Sequence, residues 1–267
     1  MSHEFVTTVI IMCDHIARQL VLLSCILFSA SSLAKAHTYI SGPARVTTVE
    51  LFTSEGCSSC PPAEQWLSDL KAGPDLWKKL VPLAFHVDYW NGPGWVDRFS
   101  NARYSARQAA YQRAGHIHTV YTPGFVVNGK EWRKFFNPFT RHASLPAPTT
   151  TPGRLTLVRN GNHIKLEFDG DASTPLLANV VFLGMDLKRR ISGGENAGRT
   201  LTMDFVVLRQ AQQKGKGTWQ FKNLVPPKEA SAIAAWVEQT GDPTPIQAVG
   251  GLLATGDHRS DPPASDH

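Results

Sequence analysis

The spacing of apolar residues changes at a Pro/Thr-rich stretch near the middle of the chain. Before it, residues 44–143 alternate short apolar segments with amphipathic ones, the pattern of an α/β domain. After it, residues 154–256 carry several short segments of period two, one pair of which flanks the hairpin signal Asn160-Gly161-Asn162. This region is predicted to form a β-rich, sandwich-like domain. The stretch between them, residues 144–153, is predicted to be a linker.

The first 36 residues are predicted to be a secretory signal peptide. Arg18 supplies a basic start, Leu20 to Ala30 form an apolar run, and Ala34-Lys35-Ala36 fits a small-x-small cleavage site. The apolar run is too short to cross a bilayer, so we expect no stable membrane span after cleavage. The mature protein is therefore expected to be periplasmic or secreted, where disulfides persist. The polar residues 257–267 are expected to form a flexible tail.

Removal of this signal leaves Cys57 and Cys60 as the only cysteines of the chain. Two cysteines separated by two residues can cycle between a dithiol and a disulfide. The pair follows the apolar segment from Val46 to Phe52 and precedes a helix-like run from Pro61 to Leu70. This position predicts that Cys57 is the exposed nucleophile and that Cys60 is the thiol that resolves a mixed disulfide.

Two prolines directly after Cys60 modify this expectation. Pro61 and Pro62 disfavour the α conformation at the residue before them and are well tolerated in the first turn of a helix. We therefore expect the helix to begin at Pro61 or Pro62, with Cys60 at its N-terminus. Cys57 then lies on the approach loop, where the helix dipole stabilises its thiolate less.

Two other uses of the cysteines stay open. The two thiolates could supply two of the four ligands of a tetrahedral zinc site, or bind copper. His86, or the pair His116 and His118, would then have to supply the remaining ligands. In the second alternative, the cysteines form a structural disulfide in a non-catalytic binding protein. A disulfide that closes so short a loop adds only about 2 kcal/mol to the free energy of unfolding. The redox interpretation is favoured, with no cofactor and no metal ligands assigned.

The segment His86-Val87-Asp88-Tyr89-Trp90 ends the second predicted strand. Alternation along a strand places His86 and Asp88 on one face. If this strand neighbours the first, either side chain is a possible proton acceptor for Cys60. The alternative is that His86 is a hydrogen-bonded structural group.

A second element resembles a known superfamily. Thr122-Pro123 precedes an apolar strand and Asn128-Gly129, and with the upstream cysteine pair it resembles the cis-proline element of the thioredoxin superfamily. The resemblance implies an α/β thioredoxin-like domain with a helical insertion at about residues 97–114. It also implies that Thr122 meets the backbone of the incoming substrate and that Pro123 packs against the dithiol.

Four separated motifs narrow the resemblance further. They are similar to a secreted bacterial family known as domain of unknown function 1223, and they span Val49 to Glu64, Phe85 to Trp90, Tyr121 to Pro123, and Gly194 to Leu201. The activity of that family is not established, so the resemblance implies fold and compartment more than substrate. The Gly-rich fourth motif is predicted to be a hairpin turn or a contact between the two domains, which Glu195 or Arg199 would bridge.

The expected function is thus that of an exported thiol–disulfide oxidoreductase-like protein. Its partners would be exported protein thiols or small thiols, and a redox partner that recharges the site. The formal net charge is +5, and the basic runs at residues 188–190 and 214–216 are short. Such short runs are typical of solvated turns, so we expect no nucleic-acid binding.

Overall fold

The structure, a computed structural model, describes residues 36–141 and 144–254 of the chain. The predicted signal peptide, apart from Ala36, and the predicted tail at residues 257–267 lie outside the described residues. Strands dominate the described part of the chain, and its two α-helices are α1 (Pro61–Asp69) and α2 (Ala102–Arg113). The strands are β1 (His37–Ile40), β2 (Thr47–Thr53), β3 (Leu80–His86), β4 (Gly124–Val127), β5 (Lys130–Glu131), β6 (Leu155–Asn160), β7 (His163–Phe168), β8 (Leu176–Gly184), β9 (Leu187–Arg190), β10 (Thr200–Met203), β11 (Val206–Gly215), β12 (Thr218–Phe221), β13 (Ala230–Gln239) and β14 (Pro245–Leu252).

A mixed sheet of eight strands, in the order β14-β13-β8-β11-β3-β2-β4-β5, runs through the protein. Its parallel neighbours are β2 with β3 and β3 with β11, and β2 pairs antiparallel with β4. The join between β3 and β11 is short: Val206 pairs with Ala84, and the Ala84 N–H donates to the Phe205 carbonyl at 2.8 Å. Strands from both sides of the predicted linker therefore belong to one sheet.

Two smaller sheets complete the architecture. The four-stranded sheet β1-β6-β7-β12 packs its apolar face on β8, β13 and β14, with Leu157, Leu166, Phe182 and Ile233 in the shared core. The hairpin predicted at Asn160-Gly161-Asn162 is confirmed, because β6 and β7 pair antiparallel on either side of Gly161. Strands β9 and β10 form a separate two-stranded hairpin.

The helices lie on opposite faces of β2, because successive side chains of a strand point to opposite sides. Val49 and Leu51 pack with Leu67 of α1, whereas Phe52 packs with Tyr104 of α2. All seven residues of β2 are buried, as expected for a strand covered on both faces. This arrangement places the end of β2 between two packed layers. The turn of residues 54–60, which follows β2 and carries both cysteines, is called the cysteine turn below.

The predicted fold class, an α/β thioredoxin-like domain with a helical insertion followed by a β-rich sandwich-like domain, is wrong. The described part of the protein is a multi-sheet β-rich fold, with 41% of its residues in strands and 12% in helices. The expectation failed because the sequence assigned a separate sheet to each side of the predicted linker. In the structure β11, which follows the linker, pairs with β3, which precedes it, so both belong to one sheet. The helical insertion expected at residues 97–114 corresponds to α2, which packs directly on the central sheet. The positions at which the two predicted domains begin and end stay a prediction.

Candidate functional site

The two cysteines form a disulfide at the start of α1. Their Cα atoms are 5.4 Å apart, and Cys60 is the N-cap residue with Pro61 in the first position of the helix. This confirms the start predicted from the two prolines, but Cys60 has a helical backbone, with φ −77° and ψ −37°, which the prolines were expected to disfavour. The N–H of Cys57 donates to the Ser54 carbonyl at 3.1 Å, and the N–H of Cys60 donates to the Cys57 carbonyl at 3.1 Å. Cys57 is only 1% exposed and Cys60 is 0% exposed, so the disulfide is covered and the expectation that Cys57 is exposed is wrong.

Part of this cover is the loop of residues 191–199, which joins β9 to β10 and is called the covering loop below. Its Asn196 is fully buried, and the amide nitrogen donates to the carbonyl oxygens of Glu55 at 2.9 Å and of Cys57 at 2.8 Å. Arg199 in turn donates to the Asn196 side-chain oxygen at 2.6 Å. The Gly-rich turn therefore contacts the cysteine turn directly.

The neighbouring Glu195 makes the second contact of the covering loop with the cysteine turn. Its N–H donates to the Gly56 carbonyl at 3.1 Å. One of its carboxylate oxygens accepts from both the Ser58 hydroxyl at 2.7 Å and the Ser58 N–H at 2.9 Å. These two hydrogen bonds favour the charged form, so they lower the pKa of Glu195. The contact predicted for Glu195 is thus made with Ser58, the residue that follows Cys57.

Close packing requires glycine where the two loops meet. Gly194 has a φ of +72°, and a Cβ atom there would lie 2.9 Å from the Gly56 Cα. A Cβ atom on Gly56 would lie 2.8 Å from the Trp95 ring. A larger residue at either glycine would therefore push the covering loop or Trp95 away from the cysteine turn.

A buried carboxyl group lies one helical turn after Cys60. The N–H of Glu64 donates to the Cys60 carbonyl at 3.0 Å, and its carboxylate accepts from the Thr53 hydroxyl at 2.7 Å. Burial raises the pKa of Glu64, and this effect outweighs the opposing charge of His86. The sequence carried a signal for this residue, because Glu64 lies three positions before the apolar Leu67 and so on the buried face of the predicted helix.

A second buried pair joins His86 to Asp97. The His86 Nδ1 atom lies 2.7 Å from the Asp97 Oδ2 atom, and both side chains are fully buried. Burial disfavours the imidazolium, but the Asp97 charge and hydrogen bond outweigh it and raise the pKa of His86 to about 9. Nδ1 therefore donates to Asp97, whereas Nε2 has no hydrogen-bond partner within the described residues. His86 on β3 is the strand neighbour of Thr53 on β2, and the Thr53 hydroxyl donates to the Glu64 carboxylate.

The third buried acid is Glu55, which precedes the cysteines on the same turn. Its N–H donates to Asp97 at 2.8 Å, and its carboxylate lies 2.8 Å from the Arg189 guanidinium of β9. Burial, together with the charge of Asp97, raises the pKa of Glu55 to about 7 against the effect of Arg189. The cysteine turn is thus surrounded by a network of ionisable groups.

The other predicted site residues fall in two places. The Thr122–Pro123 peptide is cis, and Pro123 is buried. Gly124 pairs with Phe52, so Pro123 lies level with Thr53 at the end of β2, where the cysteine turn begins. The Thr122 hydroxyl accepts from the indole of Trp90 at 2.7 Å.

Asp88 is not brought together with His86. Strand β3 ends at His86, so the alternation that grouped the two residues does not continue. The Ser105 hydroxyl of α2 donates to the Asp88 carboxylate, and the Asp88 N–H donates to that hydroxyl. Sequence reasoning missed Asp97 as the partner of His86, because no local pattern links residues on either side of the irregular segment that follows β3.

No group of three or more His, Cys, Asp and Glu residues in the described ranges is arranged to hold a metal ion. His116, one of the candidate metal ligands, lies 3.1 Å from the Asp242 carboxylate instead. Within the same ranges, no helix is long and apolar enough to cross a membrane.

Comparison with known proteins gives two similar solved structures and no match among curated proteins. A structural-genomics protein of Agrobacterium tumefaciens is 23% identical, with a TM-score of 0.57, over 82% of this chain and 98% of that one. HBP35 of Porphyromonas gingivalis is 16% identical, with a TM-score of 0.50, over 84% of this chain and 79% of that one. At these identities the likeness concerns the fold alone.

A family model described as "protein of unknown function (DUF1223)" matches residues 48–238. This range includes the cysteine turn, the cis-proline and the covering loop. It also covers most of the chain. The protein therefore belongs to the DUF1223 family.

Proposed function

We propose that this protein is an exported thiol–disulfide oxidoreductase that exchanges the Cys57–Cys60 disulfide with protein thiols or small thiols. Export to the periplasm or beyond is supported by the signal peptide predicted at residues 1–36. The observation that carries the proposal is a disulfide at the N-terminus of α1 with the buried carboxyl of Glu64 one turn further on. A redox partner is needed to recharge the site after each cycle.

The exchange proceeds in two balanced steps. A substrate thiolate attacks the Cys57 sulfur, the disulfide breaks, and Cys60 leaves as a thiolate that takes up a proton. A second substrate thiolate then attacks the substrate sulfur of the mixed disulfide and releases Cys57. Two substrate thiols are oxidised to a disulfide and the protein disulfide is reduced to two thiols. The reverse sequence reduces a substrate disulfide.

We assign the proton exchange with Cys60 to Glu64. Burial raises the pKa of Glu64, so its carboxyl holds a proton at a higher pH than an exposed glutamate does. His86, which was expected to be a possible proton acceptor, already carries its proton below a pKa of about 9. Its positive charge therefore favours a nearby anion, and Asp88 lies with α2 instead.

A purely structural role explains the disulfide less well than a redox role does. The bond closes a ring of four residues, 57–60, and chain entropy gives such a ring only about 2 kcal/mol. Burying a carboxyl group beside it costs stability, because the charged form is desolvated. A redox site uses both features. Thr122 and Pro123 are assigned to substrate binding because Pro123 lies level with the start of the cysteine turn.

Alkylation and turnover of cysteine variants test this function. We expect Cys57→Ser to abolish reduction of insulin or glutathione-coupled turnover, and Cys60→Ser to accumulate a mixed disulfide that is visible by intact mass. Glu64→Gln should lower the exchange rate by about 100-fold. Glu167→Gln, on the distant strand β7 and 45% exposed, is the matched control and should leave the rate unchanged. Full turnover by Cys57→Ser would overturn the proposal.

A further inference from the structure

The closed disulfide poses a problem of access. A thiolate must approach the Cys57 sulfur along the line of the bond that breaks, yet both cysteines are buried. The covering loop, residues 191–199, lies against the turn that carries Cys57 and holds it through Asn196 and Glu195. Movement of this loop would therefore free the backbone of Cys57 and open one side of the turn.

The contacts of the covering loop are those that a bound acidic peptide would make. Glu195 offers one backbone N–H, to the Gly56 carbonyl, and one carboxylate, to the N–H and hydroxyl of Ser58. Both Ser58 donors converge on a single carboxylate oxygen, at 2.9 and 2.7 Å. Ser58 is the residue directly after the nucleophile. The protein thus places a carboxylate of its own on the residue that follows Cys57.

Hydrogen bonds within the covering loop allow it to move as a rigid unit. Its base is closed by hydrogen bonds from the Ile191 N–H to the Arg199 carbonyl and from the Gly198 N–H to the Ile191 carbonyl, both at 2.8 Å. Gly194 and Gly198 have positive φ, so the turn between them holds a conformation that other residues rarely adopt. The hairpin base can therefore persist while the contacts to the cysteine turn are lost.

Withdrawal of Glu195 would leave the site ready for another carboxylate. The N–H and hydroxyl of Ser58, both at the surface, would then be free to donate together to an incoming carboxylate. Exposed cationic side chains flank the loop, namely Lys188 and Arg190 of β9 and Arg199 at the loop end. Positive charge around an opening raises the local concentration of anionic ligands.

We propose that Glu195 stands in for a substrate carboxylate, and that the thiols exchanged at Cys57 carry a carboxylate near the sulfur. This inference rests on the proposed function and names the class of its substrate. The covering loop is then an internal competitor: acidic thiols displace Glu195 from Ser58, whereas neutral or cationic thiols do not. The exchange itself follows the two balanced steps given above.

The test measures how fast small thiols reduce the disulfide of the full chain. The probes are 3-mercaptopropionate, which carries a carboxylate, and 2-mercaptoethanol, which is neutral, compared at equal thiolate concentration by alkylation and intact mass. We expect Glu195→Gln to raise the 3-mercaptopropionate rate by about fivefold, the upper end for an exposed charged contact, because the substrate carboxylate no longer competes with Glu195 for Ser58. The 2-mercaptoethanol rate should rise by less, because that thiol needs only the loop to open. The ratio of the acidic to the neutral rate should therefore rise. Glu167→Gln, which removes one exposed charge from β7, should change neither.

A double variant separates hydrogen bonding from bulk charge. Adding Ser58→Ala to Glu195→Gln removes the hydroxyl donor without changing charge, so the rate ratio should fall back while the neutral rate stays high. An unchanged ratio in Glu195→Gln, or an equal rise in Glu167→Gln, would overturn the inference. Failure of the proposed function would look different, because Cys57→Ser would then keep its turnover whatever the thiol ratio shows.

Discussion

Reduction of the Cys57–Cys60 disulfide is expected to lower the free energy of unfolding by only about 2 kcal/mol. The bond closes a ring of four residues, so it restricts the unfolded chain little. The contacts around it are independent of the sulfur–sulfur bond. Asn196 binds the carbonyl oxygen of Cys57, and the Cys60 N–H donates to that same carbonyl. The reduced chain should therefore keep its fold.

The expected shifts follow from this value. For a chain of this size, about 2 kcal/mol lowers the melting temperature by about 4–8 °C. Folding stabilises the disulfide over the dithiol by the same amount, which sets its reduction potential about 40 mV below that of the same pair in the unfolded chain. Both quantities are small enough for the protein to cycle without unfolding.

Urea unfolding of the oxidised and the phosphine-reduced protein, followed by tryptophan fluorescence, measures the difference. The double variant Cys57→Ser, Cys60→Ser is the control, and the reductant should leave its stability unchanged. A loss of more than about 5 kcal/mol on reduction, or complete unfolding, would refute the reasoning, because it would place the bond among those whose removal abolishes small folds.

Two further predictions concern buried charges. Arg107 of α2 lies 2.6 Å from Glu50 and 2.9 Å from Glu238, so Arg107→Met should lower the free energy of unfolding at neutral pH by about 3–5 kcal/mol, and an unchanged urea midpoint would contradict this. Glu55 has a folded pKa of about 7, above its usual 4.5. The wild type should therefore lose stability relative to Glu55→Gln as the pH rises through this interval, and a constant difference between pH 4 and pH 8 would argue against that pKa.

Local features of the chain were predictable because their causes lie within a few residues. Pro61 and Pro62 determine where α1 begins, and Gly161 forms the turn between β6 and β7. The same holds for the disulfide, since both cysteines lie on one turn. Each of these predictions needed only backbone preferences of neighbouring residues.

The sheet order could not be predicted in this way. The pairing of Val206 with Ala84 joins segments that are distant in sequence, and no periodicity records which edge a strand will use. The buried face of α2 is a similar case. It carries Arg107, which is compatible with burial only because Glu50 and Glu238 come from two other strands. The role of Asn196 likewise could not be predicted, because its hydrogen bond to the Cys57 carbonyl exists only once the covering loop packs on the cysteine turn.

The position of the covering loop in the chain has a consequence for the order of events during synthesis. Asn196 follows Cys57 by 139 residues. At ordinary rates of synthesis, that length of chain takes roughly ten seconds or more to appear. The two cysteines are thus made well before the segment that packs against their turn exists. A chain that meets an oxidant before it has folded can form the disulfide in the open, and completion of the fold then covers that bond.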